Sequence, residues 1–195
     1  MSVRDVMEER RAYRSLDPAE ISDEMLEDLF GCARIAPSCF NNQPWRYVFA
    51  REGEALEELK DALSKGNKWA TAASMIVAVT SSPRFDCRIG KREYYLFDTG
   101  MATAFVILRA TELGLVAHPI AGYSEKKAKR ALGIPEDMRL ITLVIVGRHA
   151  SDIKRLLSDE QAETERSRPK RKAISEFAFE DRYDASFDEP PDEKE

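Results

Sequence analysis

The chain has only nine glycines in 195 residues, and no two of them lie two positions apart. That spacing excludes the G-x-G-x-x-G dinucleotide loop, the Walker-type phosphate loop and the G-x-S-x-G nucleophile elbow, all of which need clustered glycines. Histidine is scarcer still. His118 and His149 are the only two, too few for a multi-histidine metal centre, and His118, beside Pro119 at a strand end, reads as structural rather than as a base. Three cysteines, Cys32, Cys39 and Cys87, are odd in number, widely spaced and without a zinc-type repeat. They predict free thiols in a reducing compartment and no bound metal. No apolar run approaches the roughly 20 residues that span a bilayer. The N-terminus carries acids where a signal peptide needs an apolar stretch. The expected location is therefore cytoplasmic, with no membrane partner. Basic excess is missing too: the net charge is −5, which argues against a nucleic-acid binder.

What is present is one stretch unlike an ordinary connection. Residues 35–45 (I-A-P-S-C-F-N-N-Q-P-W) follow a strong helical pattern and precede the apolar run Tyr47–Ala50. Pro37 and Pro44 each fix φ and push the preceding residue toward extended geometry, so the loop is stiff at both ends. Between them lie side chains that donate and accept hydrogen bonds at once, suited to a flat heterocycle. An ordinary helix-to-strand loop with Trp45 as core filler uses the same residue types. Upstream, Arg10 and Arg14 are four apart and share a side whether the chain there is helical or extended. Such a pair is either a clamp for a phosphate dianion or a solvated basic surface.

The rest reads as a single domain over residues 1–183. A helix runs from Ser22, a good N-cap followed by Asp23 and Glu24, through the stripe Met25, Leu26, Leu29, Phe30 and Ala33. A helix is expected over about 52–64, a buried strand over 75–80, and a helix from Asp98 to Leu113 that is apolar nearly all round and so should be buried. Gly114 suits its C-terminal turn. Strands follow at Val116–Ile120 and Leu140–Val146, with a helix between them capped by Ser124 and closed by Gly133. Residues 81–97 mix charges with Phe85, Ile89, Tyr94, Tyr95 and Phe97, and suit either an excursion near a site or a surface loop entering a helix. Beyond residue 150 charge dominates, and residues 184–195 are predicted to be a disordered acidic tail.

Arg10-Arg11-Ala12-Tyr13-Arg14, then Ala36, Pro37, Ser38, Asn41, Gln43, Pro44 and Trp45, resemble the signature of the nitroreductase family, FMN-dependent NAD(P)H oxidoreductases. Asp98, Gly100, Ala102, Leu108, Ala110, Gly114 and Leu115 resemble that family's central helix. The resemblance covers about residues 8–180. It implies an α+β fold, with a central mixed, mainly antiparallel sheet flanked by helices, and an intertwined homodimer with FMN at the interface. It implies that Arg10, Arg11 and Arg14 hold the FMN phosphate and ribityl chain, and that Pro37, Ser38, Cys39, Asn41 and Gln43 belong to the flavin loop. Asn67 resembles a further flavin contact, although Ala73 stands where the family usually has proline. The backbone of Ile120, Ala121 and Gly122 would lie under the ring, where Gly122 lacks a Cβ. Arg171 and Lys172, with Lys170 as an alternative, resemble the basic residues that return to the phosphate. Since no side-chain nucleophile or base stands out, the flavin would carry the chemistry. NADH or NADPH would be the donor, and a nitroaromatic or quinone the acceptor, in ping-pong fashion. An FMN carrier or sensor of the same fold, or a relative performing reductive dehalogenation or flavin breakdown, is the alternative.

Overall fold

The computed structural model describes residues 2–154 and 156–187. In chain order these form α1 (Val3–Glu9), β1 (Leu16–Asp17), α2 (Asp23–Arg34), β2 (Arg46–Ala50), α3 (Gly53–Asp61) and β3 (Met75–Ser81). A short hairpin of β4 (Arg88–Ile89) and β5 (Arg92–Glu93) leads into α4 (Tyr95–Glu112), β6 (Val116–Ile120), α5 (Glu125–Leu132), β7 (Arg139–His149) and α6 (Asp159–Arg166). The fold is α+β, as expected.

The sheet is organised by β7, which pairs antiparallel with β3, with β6 and, at its end, with β1; β2 extends the sheet beyond β3, also antiparallel. Strand side chains alternate between faces, and both faces are covered. Met75, Val77 and Val79 of β3 pack with Leu29 and Ala33 of α2 and with Ala102 and Val106 of α4. Ile76 and Ala78 point the other way, into a core with Leu56 and Leu59 of α3, Trp69 and Ala128 of α5. That is why β3 reads as an unbroken apolar run: every residue in it is buried.

Local signals place the helix ends. Ser22 Oγ accepts from the Met25 N–H at 3.2 Å, and Ser124 caps α5 in the same way. After α4 the chain turns at Gly114 with φ 73°, and the Leu115 N–H returns to the Ala110 carbonyl at 2.8 Å, an arrangement that favours glycine.

Three features differ from the sequence expectations. Strand β1 and the β4–β5 hairpin are too short to leave a periodic pattern. Helix α6 lies in a stretch dominated by charge, where its visible mark is the Ser158–Gln161 capping box. Helix α4 is not buried all round in one chain. Asp98, Ala102, Val106 and Ala110 are buried, whereas Phe97 is 64% exposed and Gly100, Ala104 and Phe105 also face outward. Ala185–Phe187 form a short 3-10 turn; the expectation of a disordered tail over 188–195 lies outside the described residues.

Candidate functional site

Two groups of the predicted residues occupy separate parts of the chain. The first is built on the extended segment after α1. Arg10, Arg11 and Arg14 line a cavity of about 190 Å³ together with Thr164 of α6, Arg168 and Arg171. Helix α6 sets two of these side chains. Arg11 donates to the Thr164 carbonyl at 2.7 Å and lies over the Tyr13 ring, 4.5 Å from its centroid. Arg14 donates to the Thr164 hydroxyl at 2.9 Å. Glu165, buried beneath, accepts the backbone N–H groups of Arg14 at 2.6 Å and Ser15 at 3.3 Å. Among the described residues none of these five guanidiniums is ion-paired to a carboxylate. Burial, then the charges of Arg171 and Arg168, depress the Arg10 guanidinium below its ordinary value. Unpaired cations converging on one cavity favour a multiply charged anion.

Arg171 lines the same cavity as Arg10, Arg11 and Arg14, while Lys172 is exposed and is not among the residues that line it. Arg168 was missed as a site residue. It donates to the Arg10 carbonyl at 3.1 Å and also reaches the Glu8 carbonyl. Its only sequence signal was membership of the basic run 168–172.

Behind the arginines the site continues through His118. Its Nδ1 lies 3.0 Å from the Tyr13 carbonyl and its ring 4.8 Å from that of Trp69. Burial depresses it to about 4, so the ring is neutral near pH 7 and donates from Nδ1. This agrees with a structural role. The Trp69 indole N–H in turn donates to Asn67 Oδ1 at 3.1 Å, and Asn67 Nδ2 donates to the Gly122 carbonyl at 2.9 Å. Asn67 therefore fastens the turn after β6, and both ends of its amide are engaged. A Cβ at Gly122 would meet Asn67 Nδ2 and Ser64 Oγ at 2.5 Å each, so the space left there is filled by the protein itself. Ile120 is buried, and Ala121 is exposed beside it.

The second group is the 37–43 loop. Ser38 Oγ accepts from the Gln43 N–H at 2.9 Å, Gln43 Nε2 donates to the Asn41 carbonyl at 3.2 Å, and the Cys39 N–H donates to Asp98 Oδ2 at 2.6 Å. Phe40, Asn41 and Gln43 all have left-handed φ, between 49° and 58°. Pro37 and Asn41 are exposed. Pro44 is buried with its carbonyl on Ser81 Oγ at 2.9 Å, and Trp45 lies in the core as the plainer sequence reading held. The expectation of free thiols fails for two of the three cysteines. Cys39 and Cys87 are joined in a disulfide, leaving Cys32 as the free thiol. Sequence spacing could not show this, because the bond joins two loop positions 48 residues apart.

This architecture, a five-stranded antiparallel sheet between helix layers with an arginine-lined cavity, defines a class, and the comparisons place the chain within it. The model of the nitroreductase family matches residues 7–81 and 62–148. The chain belongs to the nitroreductase family. It is 30% identical over 144 residues to an Archaeoglobus fulgidus protein named "Putative NADH dehydrogenase/NAD(P)H nitroreductase", spanning 71% of this chain and 80% of that one. A Streptomyces coelicolor protein of like name is 28% identical over 161 residues, 72% of this chain and 79% of the other. Among solved structures, one described as an oxidoreductase containing FMN superposes with a TM-score of 0.81 and 29% identity over 94% of both chains. A nitroreductase family protein from Clostridium difficile shares the fold, with a TM-score of 0.76 at 23% identity over 94% of this chain and all of that one.

Proposed function

We propose that this chain is an FMN-dependent oxidoreductase that takes electrons from NADH or NADPH and passes them to a small electron-poor acceptor such as a quinone or nitroaromatic. The observation that carries the reading is the cavity of Arg10, Arg11, Arg14, Arg168 and Arg171, whose unpaired charges fit a phosphate dianion. Arg10, Arg14 and Arg171 would grip the phosphate, while Arg168 ties the tail to the backbone of Arg10 and keeps it closed over the cavity. FMN, when bound, supplies two-electron hydride chemistry through its ring. The chain's own part is to bind, orient and exclude water. The 37–43 loop offers hydrogen-bonding groups at fixed angles, and the Asn67–Gly122 bond holds the turn after β6 rigid.

The working unit in this reading is a homodimer. The outward face of α4 and an apolar groove lined by Val3, Met7, Ile35, Phe105 and Leu108 form one surface, on which Val3 and Ile35 are 70% exposed. The charged residues that line it, Arg109 and Glu112, are ion-paired with each other, so it suits a subunit contact better than a phosphate. No described helix is long and apolar enough to cross a membrane, and we place the protein in the cytoplasm.

The test begins with the purified protein. It should be yellow and release FMN rather than FAD on denaturation, and NADH or NADPH should bleach it anaerobically, with the colour restored by a quinone. Arg10→Ala should weaken FMN binding by about 1.5–3 kcal/mol, the scale of a charge-assisted hydrogen bond. A colourless protein that cannot be loaded with FMN ends this reading. A flavin that only a chemical reductant bleaches would leave a carrier or sensor.

A further inference from the structure

We propose that Cys39, Asp86 and Cys87 form, once the disulfide is opened, a binding site for a soft divalent cation of the zinc type, so that the bond and the metal are alternative occupants of one place. One ligand atom from each residue lies within 4.8 Å of the others. A tetrahedral zinc shell with bonds of about 2.0–2.3 Å has edges of about 3.5–3.8 Å, so small side-chain rotations would close it. Two thiolates select zinc-like ions over magnesium or calcium.

The carboxylate is set for the role. Asp86 Oδ1 accepts from Asn42 Nδ2 at 3.3 Å and from the Cys87 N–H at 2.7 Å, whereas Oδ2 is buried with no hydrogen-bond partner. One oxygen anchored by outer partners and the other bare is how a ligating carboxylate is usually held. A buried, unsatisfied carboxylate oxygen is costly unless something positive meets it. Beside it lies a second buried carboxyl, Asp98. Opening the disulfide adds two ionisable sulfurs beside these two carboxyls. A dication would meet the two sulfurs and engage the bare oxygen at once. Three protein ligands leave the fourth position to water.

Position gives the site its consequence. Cys39 belongs to the 37–43 loop and Asp86–Cys87 to the turn before the β4–β5 hairpin, so either occupant ties these segments together. With neither, the exposed Asn42–Asp86 hydrogen bond remains beside them. The residues were invisible as a metal set in the sequence because the two halves are far apart in the chain.

The test uses the full chain with Cys32→Ser, so that no other thiol contributes. A phosphine opens the bond: the disulfide takes two electrons from phosphorus and two protons from water, giving two thiols and the phosphine oxide. After anaerobic removal of the phosphine, cobalt(II) alone is titrated as the probe, followed by zinc. The expected result is one equivalent of cobalt with thiolate-to-metal charge-transfer absorption, displaced by zinc, and no uptake by the unreduced protein. Cys87→Ser should abolish the charge-transfer band or weaken binding at least 100-fold, and Asp86→Asn should weaken it at least tenfold, each with far-ultraviolet circular dichroism unchanged. The proposal is overturned by a reduced protein that takes up no cobalt, by uptake that persists in the disulfide form or in Cys87→Ser, or by an affinity that Asp86→Asn does not move. The readout is cobalt uptake and not flavin content or reduction, so its failure and that of the cofactor reading are distinct.

Discussion

His118 makes the stability of this protein depend on pH in a calculable way. The ring is 7% exposed, wedged between the Tyr13 carbonyl and the Trp69 indole. Burial is the main cause that lowers it from 6.5 to about 4, with Arg14 and Arg10 adding repulsion and the Tyr13 carbonyl and Glu165 partly opposing. The folded pKa is depressed, so below the unfolded value the unfolded chain binds a proton that the folded chain refuses. The neutral ring's stability is therefore fully present above about 6.5 and is lost as pH falls toward 4. Over that interval, at about 1.4 kcal/mol per pH unit, the loss is about 3 kcal/mol, a large share of the 5–15 kcal/mol typical of a domain. Carboxylates titrate at the lower end of the same range, so wild type must be compared with His118→Phe, which cannot charge. The variant gives up the bond to Tyr13, a cost independent of pH, and keeps the other titrations. Urea unfolding at half-unit steps from pH 8 to 4 should show the wild type losing about 3 kcal/mol relative to the variant, beginning near 6.5. A constant difference across the range would refute the argument and place the His118 pKa near its ordinary value.

Gly122→Ala should destabilise by about 1–3 kcal/mol in urea melts, because its Cβ would overlap Asn67 and Ser64 at 2.5 Å; an unchanged midpoint would show that the turn after β6 gives way freely. Glu165→Gln keeps the shape but weakens two charge-assisted acceptor bonds to the Arg14 and Ser15 N–H groups. It should cost about 1.5–3 kcal/mol by thermal or urea unfolding. Ala104→Arg places a charge on the outward face of α4, where it touches little of its own chain. Light scattering at low micromolar concentration should report a dimer for the unmodified protein and a monomer for the variant, and an active, flavin-loaded wild-type monomer would sink the dimer.

The legible parts of the fold were those with long periodic patterns. β3 and β7 carry unbroken apolar runs because both faces are covered, and α2 announced itself through Ser22 and its stripe. Helix α6 was hidden because Glu165 is its one buried residue, and a helix held by a buried carboxylate leaves no apolar period to read. The same contact explains why Arg168 escaped notice: its neighbours in sequence are charged as well, and only packing against Glu8 and Arg10 distinguishes it from Lys170 or Lys172. Asn67 and Gly122 stood out as residue types, yet their bond to each other is a matter of tertiary contact. The Cys39–Cys87 bond was beyond any spacing rule, since it joins two loops 48 residues apart.

The 37–43 loop brings these strands together. Three of its non-glycine residues sit in the left-handed region, where each costs on the order of 1 kcal/mol or more. Such conformers persist only where the surroundings over-determine them, and here they do: the Ser38–Gln43 bond, the Cys39 N–H on Asp98, the disulfide and buried Pro44 fix the loop at four points. What the strain achieves inside one chain is little, for Phe40 is left 83% exposed and Asn41 points outward as well. The arginine cavity has the opposite imbalance, with five cations gathered and, among the described residues, no carboxylate ion-paired to them. On the proposed reading these imbalances share a resolution. A phosphate-bearing ring seated on the arginines of one protomer and the rigid loop of its partner would use the charge of one and the fixed hydrogen-bonding groups of the other, and the outward face of α4 would be covered in the same event.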